Sequence, residues 1–560
     1  MPTPPLIPRK KDGLRSNPTG KMEAVSTLLA SPSDASRAPR GRASQDGPLF
    51  RWIFPALGVA SLLASCILWS LRKQMWGDEV VTVVELRDPS LAHLLHAVPR
   101  LGGAGMPLFY LTGWPWAHVF GLSDLSLRLY SSFGVCGAFL VLLATLRRRF
   151  SASSAFLGVA LGLFASLIVL DQNAEARGYG LYLLLFALAL AQALRVAEAP
   201  RPSAAALALL ALSQAGLVLG HMLGLIYAGL ILLALIVAGA WQRRFRARVY
   251  LCCMAGWLAL IPWIPAIRAS AAVGRPHGWI AMPSLGDLAS SLSFWLFTGL
   301  YWQLPYRSAM LLAFGWVIGL VWVVGLVLAS VHALRTSTPP ERAVYLLGFA
   351  LLLAPAVFFV ISHVAAPIFL PRYLIPSALG IAMLTAAWAE RSKLGKGTGV
   401  SALNRRTQIA LSCALLVLPI ATALLARPAS LDVSRIDELA AGRLVVCDSL
   451  KDLLVMTRYS AQPGELAYPM NEAVANGEPG VDADFRLMTN YRREGYLAVD
   501  LPDDSAILAP SLAARKSFLL LDNGDAAWFR VVIESNPRFT WKTRARIDST
   551  RRLIEVEQKP

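Results

Sequence analysis

Residues 101–123 read LGGAGMPLFYLTGWPWAHVFGLS, a stretch with no acidic residue, lysine or arginine. Roughly 17 to 25 apolar residues cross a bilayer as a helix, so the length suffices. Gly102, Gly103, Gly105, Pro107 and Pro115 nevertheless interrupt it. Whether it crosses decides the side of the membrane on which every later loop lies. The class of the chain is plainer: of 560 residues, 56% are hydrophobic and 16% charged, against about 25% charged in soluble domains. The protein is polytopic and integral to the membrane.

Clean candidate spans are 52–71, 129–146, 150–170, 178–194, 203–220, 222–242, 249–267, 308–334, 343–362, 373–389 and 407–426. The run 203–242 lacks formal charge throughout, enough for two spans with His221 at the bend. Cytoplasmic loops carry the excess of Lys and Arg. If 101–123 stays at the interface, the basic loops around Arg147–Arg149, Arg195/Arg201, Arg243–Arg248, Arg335/Arg342 and Arg391–Arg406 all become cytoplasmic, with the N-terminal tail. The opposite short loops, 171–177, around 221 and 363–372, then hold just Arg177 and Arg372. A crossing would place every one of those later basic loops outside. The eleven-span arrangement follows.

The first 51 residues hold nine Lys or Arg with many Ser and Pro and read as a disordered cytoplasmic tail. The first apolar run starts too late for a cleavable signal peptide. The net charge of +18 invites a nucleic-acid partner, but the basic residues are spread over inter-helix loops and both tails. Topology and anionic lipid account for them, and no nucleic acid is expected. Five of the six cysteines, Cys66, Cys136, Cys252, Cys253 and Cys413, lie in apolar runs, with Cys447 outside them; neither a disulfide framework nor a zinc site follows.

Asp78-Glu79, the segment Asp171 to Tyr179 with Glu175 and Arg177, His221, His363 and Arg372 all fall at span ends on the external face. Ionisable groups at membrane depth are costly and usually functional. Two long external loops are expected, 72–128 with a short interfacial helix near Pro89–Val98, and 268–307 with Trp279, Phe294, Trp295, Phe297, Tyr301, Trp302 and Tyr306. The aromatics suit a membrane-interface belt or a sugar-stacking platform. Residues 427–560 carry strand-like pieces at Arg443–Cys447, Tyr496–Asp500, Ser517–Asp522 and Arg552–Glu557, with turn signals at Asn523-Gly524 and Asn536-Pro537. They predict a small extracytoplasmic α/β domain without a Gly-rich phosphate loop, metal-spaced cluster or nucleophile elbow. The divisions are thus 1–51, 52–426 and 427–560.

Several short motifs, in this order, resemble the polytopic GT-C glycosyltransferases of the protein-mannosyltransferase and aminoarabinose-transferase type (glycosyltransferase families 39 and 83). WGDE at Trp76–Glu79 follows the first span, where that family has an acidic pair. GMPLFYLTGWPWAHVFGLSDLSLRL at 105–129 is similar to its Pro-Leu-Tyr-Tyr helix, followed by Phe-Gly, an acidic residue and Leu-Arg-Leu. AEARGYGLYLLL at 174–185 resembles its Glu-Ala-Arg-x-Tyr element, GHMLGLIY at 220–227 its span-starting His, and FLPRYLIPS at 369–377 its late Arg-Tyr motif. The resemblance covers about residues 50 to 425 and leaves the tail unmatched. One departure stands out: Gly105-Met106 precede Pro107 where the family often has Pro or a basic residue, removing a donor-phosphate contact there.

The resemblance implies a GT-C-like fold of about eleven transmembrane helices and transfer of a sugar from a polyprenyl-phosphate donor to a glycan, lipid or protein acceptor. Such transfer asks a carboxylate to take the acceptor proton and guanidiniums to hold the leaving phosphate. A single displacement inverts the anomeric centre. Asp78 is expected as base, with Glu79 supporting it or fixing its rotamer, and Arg372 with Tyr373 on the donor phosphate. Arg177 either pairs with Glu175 or Asp171 or reaches the phosphate. Asp171, Glu175, Tyr179 and His221 are candidates for acceptor or sugar contacts, and Arg128 sets the entry of its span. The plain alternatives are solvated carboxylates capping an interfacial helix, a headgroup anchor at Arg372 and a helix-end histidine at 221. The monophosphate donor makes no cofactor or metal obligatory; the chemistry admits a divalent cation, and the sequence does not indicate one. A secondary transporter would want charged or broken helices at mid-bilayer and a related second half; a scaffold presenting the tail would not need eleven spans.

Overall fold

The computed structural model describes residues 47–101, 105–274, 280–291, 309–393, 404–425, 430–469, 481–496, 516–524 and 528–559. The basic tail up to residue 46, the loop aromatics from Trp279 to Tyr306 and the strand expected at 497–500 lie outside the described residues.

Each expected span falls on a helix. The first is α1 (Phe54–Ser70), followed by three shorter helices, α2 (Gly77–Leu86), α3 (Leu91–Ala97) and α4 (Pro107–Phe120). The second is α5 (Asp124–Arg147); the third is broken, with α6 (Ala152–Phe164) and α7 (Leu167–Asn173) bent by 75°. Then come α8 (Tyr179–Glu198), α9 (Ala204–Gly220), α10 (Gly224–Trp241), and α11 (Ala247–Trp257) running on into α12 (Ile264–Gly274). After the short α13 (Leu285–Ser291) follow α14 (Ala309–Thr336), α15 (Pro339–Leu352) with α16 (Ala354–Val364), α17 (Ser377–Lys393) and α18 (Arg405–Leu425). Among the described residues eight helical segments are long and apolar enough to cross a membrane, nine if the bent pair is one span. The two remaining expected spans, α9 and α17, are 17 residues each. The chain is a multi-pass membrane protein.

The stretch 101–123 becomes α4, whose 14 residues span about 21 Å at 1.5 Å per residue. That falls short of the roughly 30 Å hydrocarbon core. Pro107 opens it at the first helical position, where a missing N–H costs nothing, and Gly121 ends it with φ +82°, a positive φ that glycine adopts without strain.

Helix packing in the bundle relies on small residues that let backbones approach. A Cβ on Gly162 would lie 2.6 Å from the Ala378 carbonyl oxygen, so α6 and α17 touch backbone to backbone. Gly180 is tighter still: a Cβ there would sit 1.9 Å from the Ser131 carbonyl oxygen of α5. Gly180→Ala is therefore expected to push α8 off α5 at a cost of about 1–3 kcal/mol, read as a fall in the unfolding midpoint of the purified protein. An unchanged midpoint would show that the two helices are not this close. Arginines cap the bundle where helix carbonyls run out of partners. Arg72 donates to Leu424 O at 2.7 Å, Arg246 to Ala197 O at 3.1 Å and Arg391 to Ala333 O at 3.1 Å.

The tail holds α19 (Val433–Ala440), β1 (Val445–Cys447), α20 (Leu450–Tyr459), β2 (Leu466–Ala467), α21 (Val481–Arg493), β3 (Ser517–Asn523), α22 (Trp528–Ser535), β4 (Phe539–Arg546) and β5 (Arg551–Gln558). The sheet runs β2-β1-β3-β5-β4, with β1 parallel to β2 and β3, and β5 antiparallel to β3 and β4. The sequence pattern marks β1, β3 and β5. It misses β4, FTWKTRAR, because an exposed edge strand carries charge in place of alternating apolar residues. The sheet does not bury its core alone. Met75, Val80, Val83, Leu86, Leu94 and Tyr110, from the segment between α1 and α5, share one apolar cluster with Val446, Leu453, Leu520 and Val556.

Candidate functional site

The site is built on the first turn of α2. Asp78 and Glu79 stand there, where the helix N-terminus favours negative charge. Glu79 accepts from the Trp76 N–H at 3.3 Å, closing the turn. Beyond that their paths separate. Asp78 is partly open, and its Oδ2 lies 3.5 Å from Nη1 of Arg372, with a third of the Asp78 side chain and a fifth of Arg372 exposed. Arg177 reaches the same turn from the loop between α7 and α8, donating to the Asp78 carbonyl oxygen at 3.0 Å and to the Thr82 hydroxyl at 3.3 Å. Two guanidiniums from distant parts of the chain therefore meet at Asp78, Arg372 at its carboxylate and Arg177 at its backbone carbonyl.

Arg372 sits in a 3-10 turn, Pro371–Leu374, held where the Tyr227 hydroxyl donates to the Tyr373 carbonyl at 2.8 Å. Its guanidinium lies 5.8 Å from the Trp76 ring centre and 5.7 Å from that of Tyr373, cation–π distances that favour the charge. Burial works against the charge of both arginines. Tyr179 and Asp78 outweigh it at Arg372, and Asp78 does so at Arg177, so both are held above their usual range. His221 ends α9 and stacks on Tyr182 at 4.6 Å, with Tyr179 at 5.7 Å and Tyr373 at 5.5 Å. Tyr179, His221 and Tyr373 form an aromatic wall beside Arg372.

Asp171 and Glu175 do not face this opening. Both are buried, at 8% and 4% exposure, and Lys73 bridges them, 3.0 Å from Glu175 and 3.7 Å from Asp171. Gln172 donates to each at 3.0 Å. Burial drives the Glu175 carboxyl up to about 7 against the pull of Lys73, and the two carboxylates in turn hold the buried Lys73 ammonium above its usual value. The alternative in which Arg177 pairs with Asp171 or Glu175 is displaced, because Lys73 takes both. Sequence reasoning missed Lys73. Its only signal was a cation two residues past the charge-free run 52–71, which reads equally as an interface anchor.

Glu79 also departs from the expectation that it orients the Asp78 side chain. Its carboxylate is fully buried on Arg128, with Nε to Oε1 at 2.8 Å and Nη2 to Oε2 at 2.9 Å, and Oε1 also accepts the Ala176 N–H at 2.8 Å. Burial alone would raise its pKa; Arg128 overcomes this and keeps it low, as an anion. Arg128, on α5, spends its other donors on the carbonyls of Lys73 at 2.7 Å and Gln74 at 3.1 Å. The pair ties the turn before α2 to the loop carrying Arg177, and the Glu79 carboxylate is taken up by Arg128 and the Ala176 N–H. His363 is exposed, and its Nδ1–H donates to the Phe359 carbonyl of its own helix at 2.9 Å. Among the described residues no three His, Cys, Asp or Glu groups converge to hold a metal ion.

No family model and no curated protein sequence matches the chain. Among solved structures, ArnT from Cupriavidus metallidurans in the apo state matches with a TM-score of 0.50 at 12% identity, covering 90% of this chain and 98% of that one. The same protein bound to undecaprenyl phosphate matches at the same score and identity over 91% of this chain. A helical bundle of this order, with the α2 turn against the Pro371–Leu374 turn and a five-stranded domain after the last span, is therefore the ArnT-like, GT-C-type fold.

Proposed function

We propose that the protein is a membrane glycosyltransferase. It takes a sugar from a polyprenyl-phosphate donor at the extracytoplasmic face and passes it, with inversion, to an acceptor hydroxyl. One observation carries the reading: Asp78 and Arg372, 294 positions apart, meet at 3.5 Å with Arg177 on the same helical turn. A carboxylate beside two guanidiniums, open to solvent at a span end, is the set this transfer requires. Undecaprenyl phosphate, bound by ArnT in one of the matching structures, supports a polyprenyl-phosphate donor here.

In the resting site Arg372 neutralises Asp78. Donor phosphate entering between Arg372 and Arg177 competes for Arg372 and releases Asp78. The acceptor oxygen then bonds to the anomeric carbon as the bond to phosphate breaks. Asp78 takes the hydroxyl proton, and the departing polyprenyl phosphate carries its added negative charge onto the two guanidiniums. The aromatic wall of Tyr179, His221 and Tyr373 offers the sugar a face. Glu79, Arg128, Lys73, Asp171 and Glu175 hold the two arginine-bearing loops in place.

Arg372→Ala is expected to act on the donor. A charge-assisted hydrogen bond contributes about 1.5–3 kcal/mol, which corresponds to a roughly 10- to 100-fold loss in kcat/KM for the donor. Acceptor KM should move little, and unaltered donor kinetics would remove Arg372 from the phosphate site. The deciding assay is purified protein with a panel of radiolabelled polyprenyl-phosphate sugars, wild type against Asp78→Asn. Label reaching no acceptor from any donor would end the reading.

A further inference from the structure

The turn that delivers Asp78 is gripped by the C-terminal unit. We propose that Tyr459 and Arg458 of α20, acting with Asp124, are positioning residues for Asp78, so that the C-terminal unit is part of the transfer site. The functional part of this rests on the glycosyltransferase reading; the mechanical part does not.

Between α1 and α2 the polar groups of Lys73–Met75 find partners outside their own segment. Arg128 takes the carbonyls of Lys73 and Gln74. Two further contacts come from the tail: Leu431 N–H donates to Gln74 Oε1 at 3.0 Å, and Met75 N–H donates to the Tyr459 hydroxyl at 2.8 Å. That hydroxyl works in both directions. It accepts from Met75 and donates to the Asp124 carboxylate. Burial pushes the Tyr459 phenol up to about 12, so at neutral pH its proton stays in place for that donation.

Asp124 is fixed in turn by Arg458, whose Nε lies at 3.0 Å and Nη2 at 2.5 Å from Oδ1, while Nη2 also reaches the Leu122 carbonyl at 3.0 Å. Asp124 begins α5, the helix that carries Arg128. The same arginine–tyrosine pair of α20 thus grips the start of α5 and the backbone three residues before Asp78. The Lys451 backbone closes the third side: a Cβ on Gly77 would stand 3.4 Å from Lys451 Cα. Met75 itself is fully buried in the apolar cluster shared with the tail. Displacement of α20 cannot occur without moving the first turn of α2, and sub-ångström placement of a reacting group is costly to lose, with about 1 Å of error reducing rate by about 10²-fold.

Tyr459→Phe keeps the ring and deletes the hydroxyl. In the full chain, purified in detergent or nanodiscs, kcat per folded molecule is expected to fall about tenfold, a fraction of the 1 Å figure, with donor KM within about twofold. Amide hydrogen exchange in the peptide covering 73–82 should accelerate while that of the α8–α10 helices stays as in wild type. Arg458→Gln, which loosens Asp124 and leaves Tyr459 in place, should shift both readouts in the same direction to a smaller degree, and serves if Tyr459→Phe does not accumulate. Unchanged exchange at 73–82 would overturn the clamp. Faster exchange with unchanged kcat per folded molecule would reduce it to a stabilising contact and overturn its positioning role. Wild-type protein inactive with every donor would refute the glycosyltransferase reading, and the exchange measurement would still decide the clamp.

Discussion

Asp78→Asn is expected to lower kcat for sugar transfer by about 10²- to 10⁴-fold, the usual contribution of a positioned general base. The amide is nearly isosteric, and the main-chain contacts of this turn do not use the Asp78 side chain: Arg177 binds the carbonyl, and Glu79 closes the cap. Folding, membrane insertion and the unfolding midpoint should therefore match wild type, separating a chemical loss from a structural one. The neutral amide also frees Arg372 from its resting partner at 3.5 Å, so donor affinity should hold or rise slightly as kcat collapses. Full retained activity would remove Asp78 from the mechanism. A loss confined to donor KM would recast it as a binding group.

The largest structural effect is expected from Arg128→Ala. Arg128 and Glu79 have no exposed side-chain surface. Truncating one partner of such a pair leaves an uncompensated buried charge, at a cost of about 3–5 kcal/mol. It would also strand the Lys73 and Gln74 carbonyls and free the Ala176 loop that carries Arg177. Little folded protein should be recovered at ordinary expression temperature, and what is recovered should unfold at a much lower temperature by intrinsic fluorescence. Arg128→Lys should recover only part of the loss, since an ammonium cannot reproduce the fork to Glu79 while holding two carbonyls. A variant with wild-type stability would refute the strut.

The two cases show where sequence reading succeeds and where it stops. Asp78 was legible because its position relative to a span is a one-dimensional property: an acid at a span end is unusual, and hydropathy and charge bias place it beside Arg177 and Arg372 on one side. The division of labour within Asp78-Glu79 was not legible. Adjacent helical residues point about 100° apart, and what lies in each direction depends on chains far away in sequence. Glu79 meets Arg128 and Asp78 meets Arg372. Lys73 escaped for the same reason, since its carboxylates stand 98 and 102 positions further on. The tail was legible as α/β from β1, β3 and β5, yet the residues joining it to the α2 turn, Tyr459, Arg458 and Leu431, carry no periodic signature.

The sequence by itself determined the class, the helices and their order, and the crowding of ionisable groups at the span ends, because twenty apolar residues in a row have few other solutions in water or lipid. Tertiary structure alone decided which charges are buried struts and which remain open to a substrate, and that the C-terminal sheet shares its core with the α2 segment. Pairing partners and burial arise from contacts between distant segments, and local pattern does not encode them.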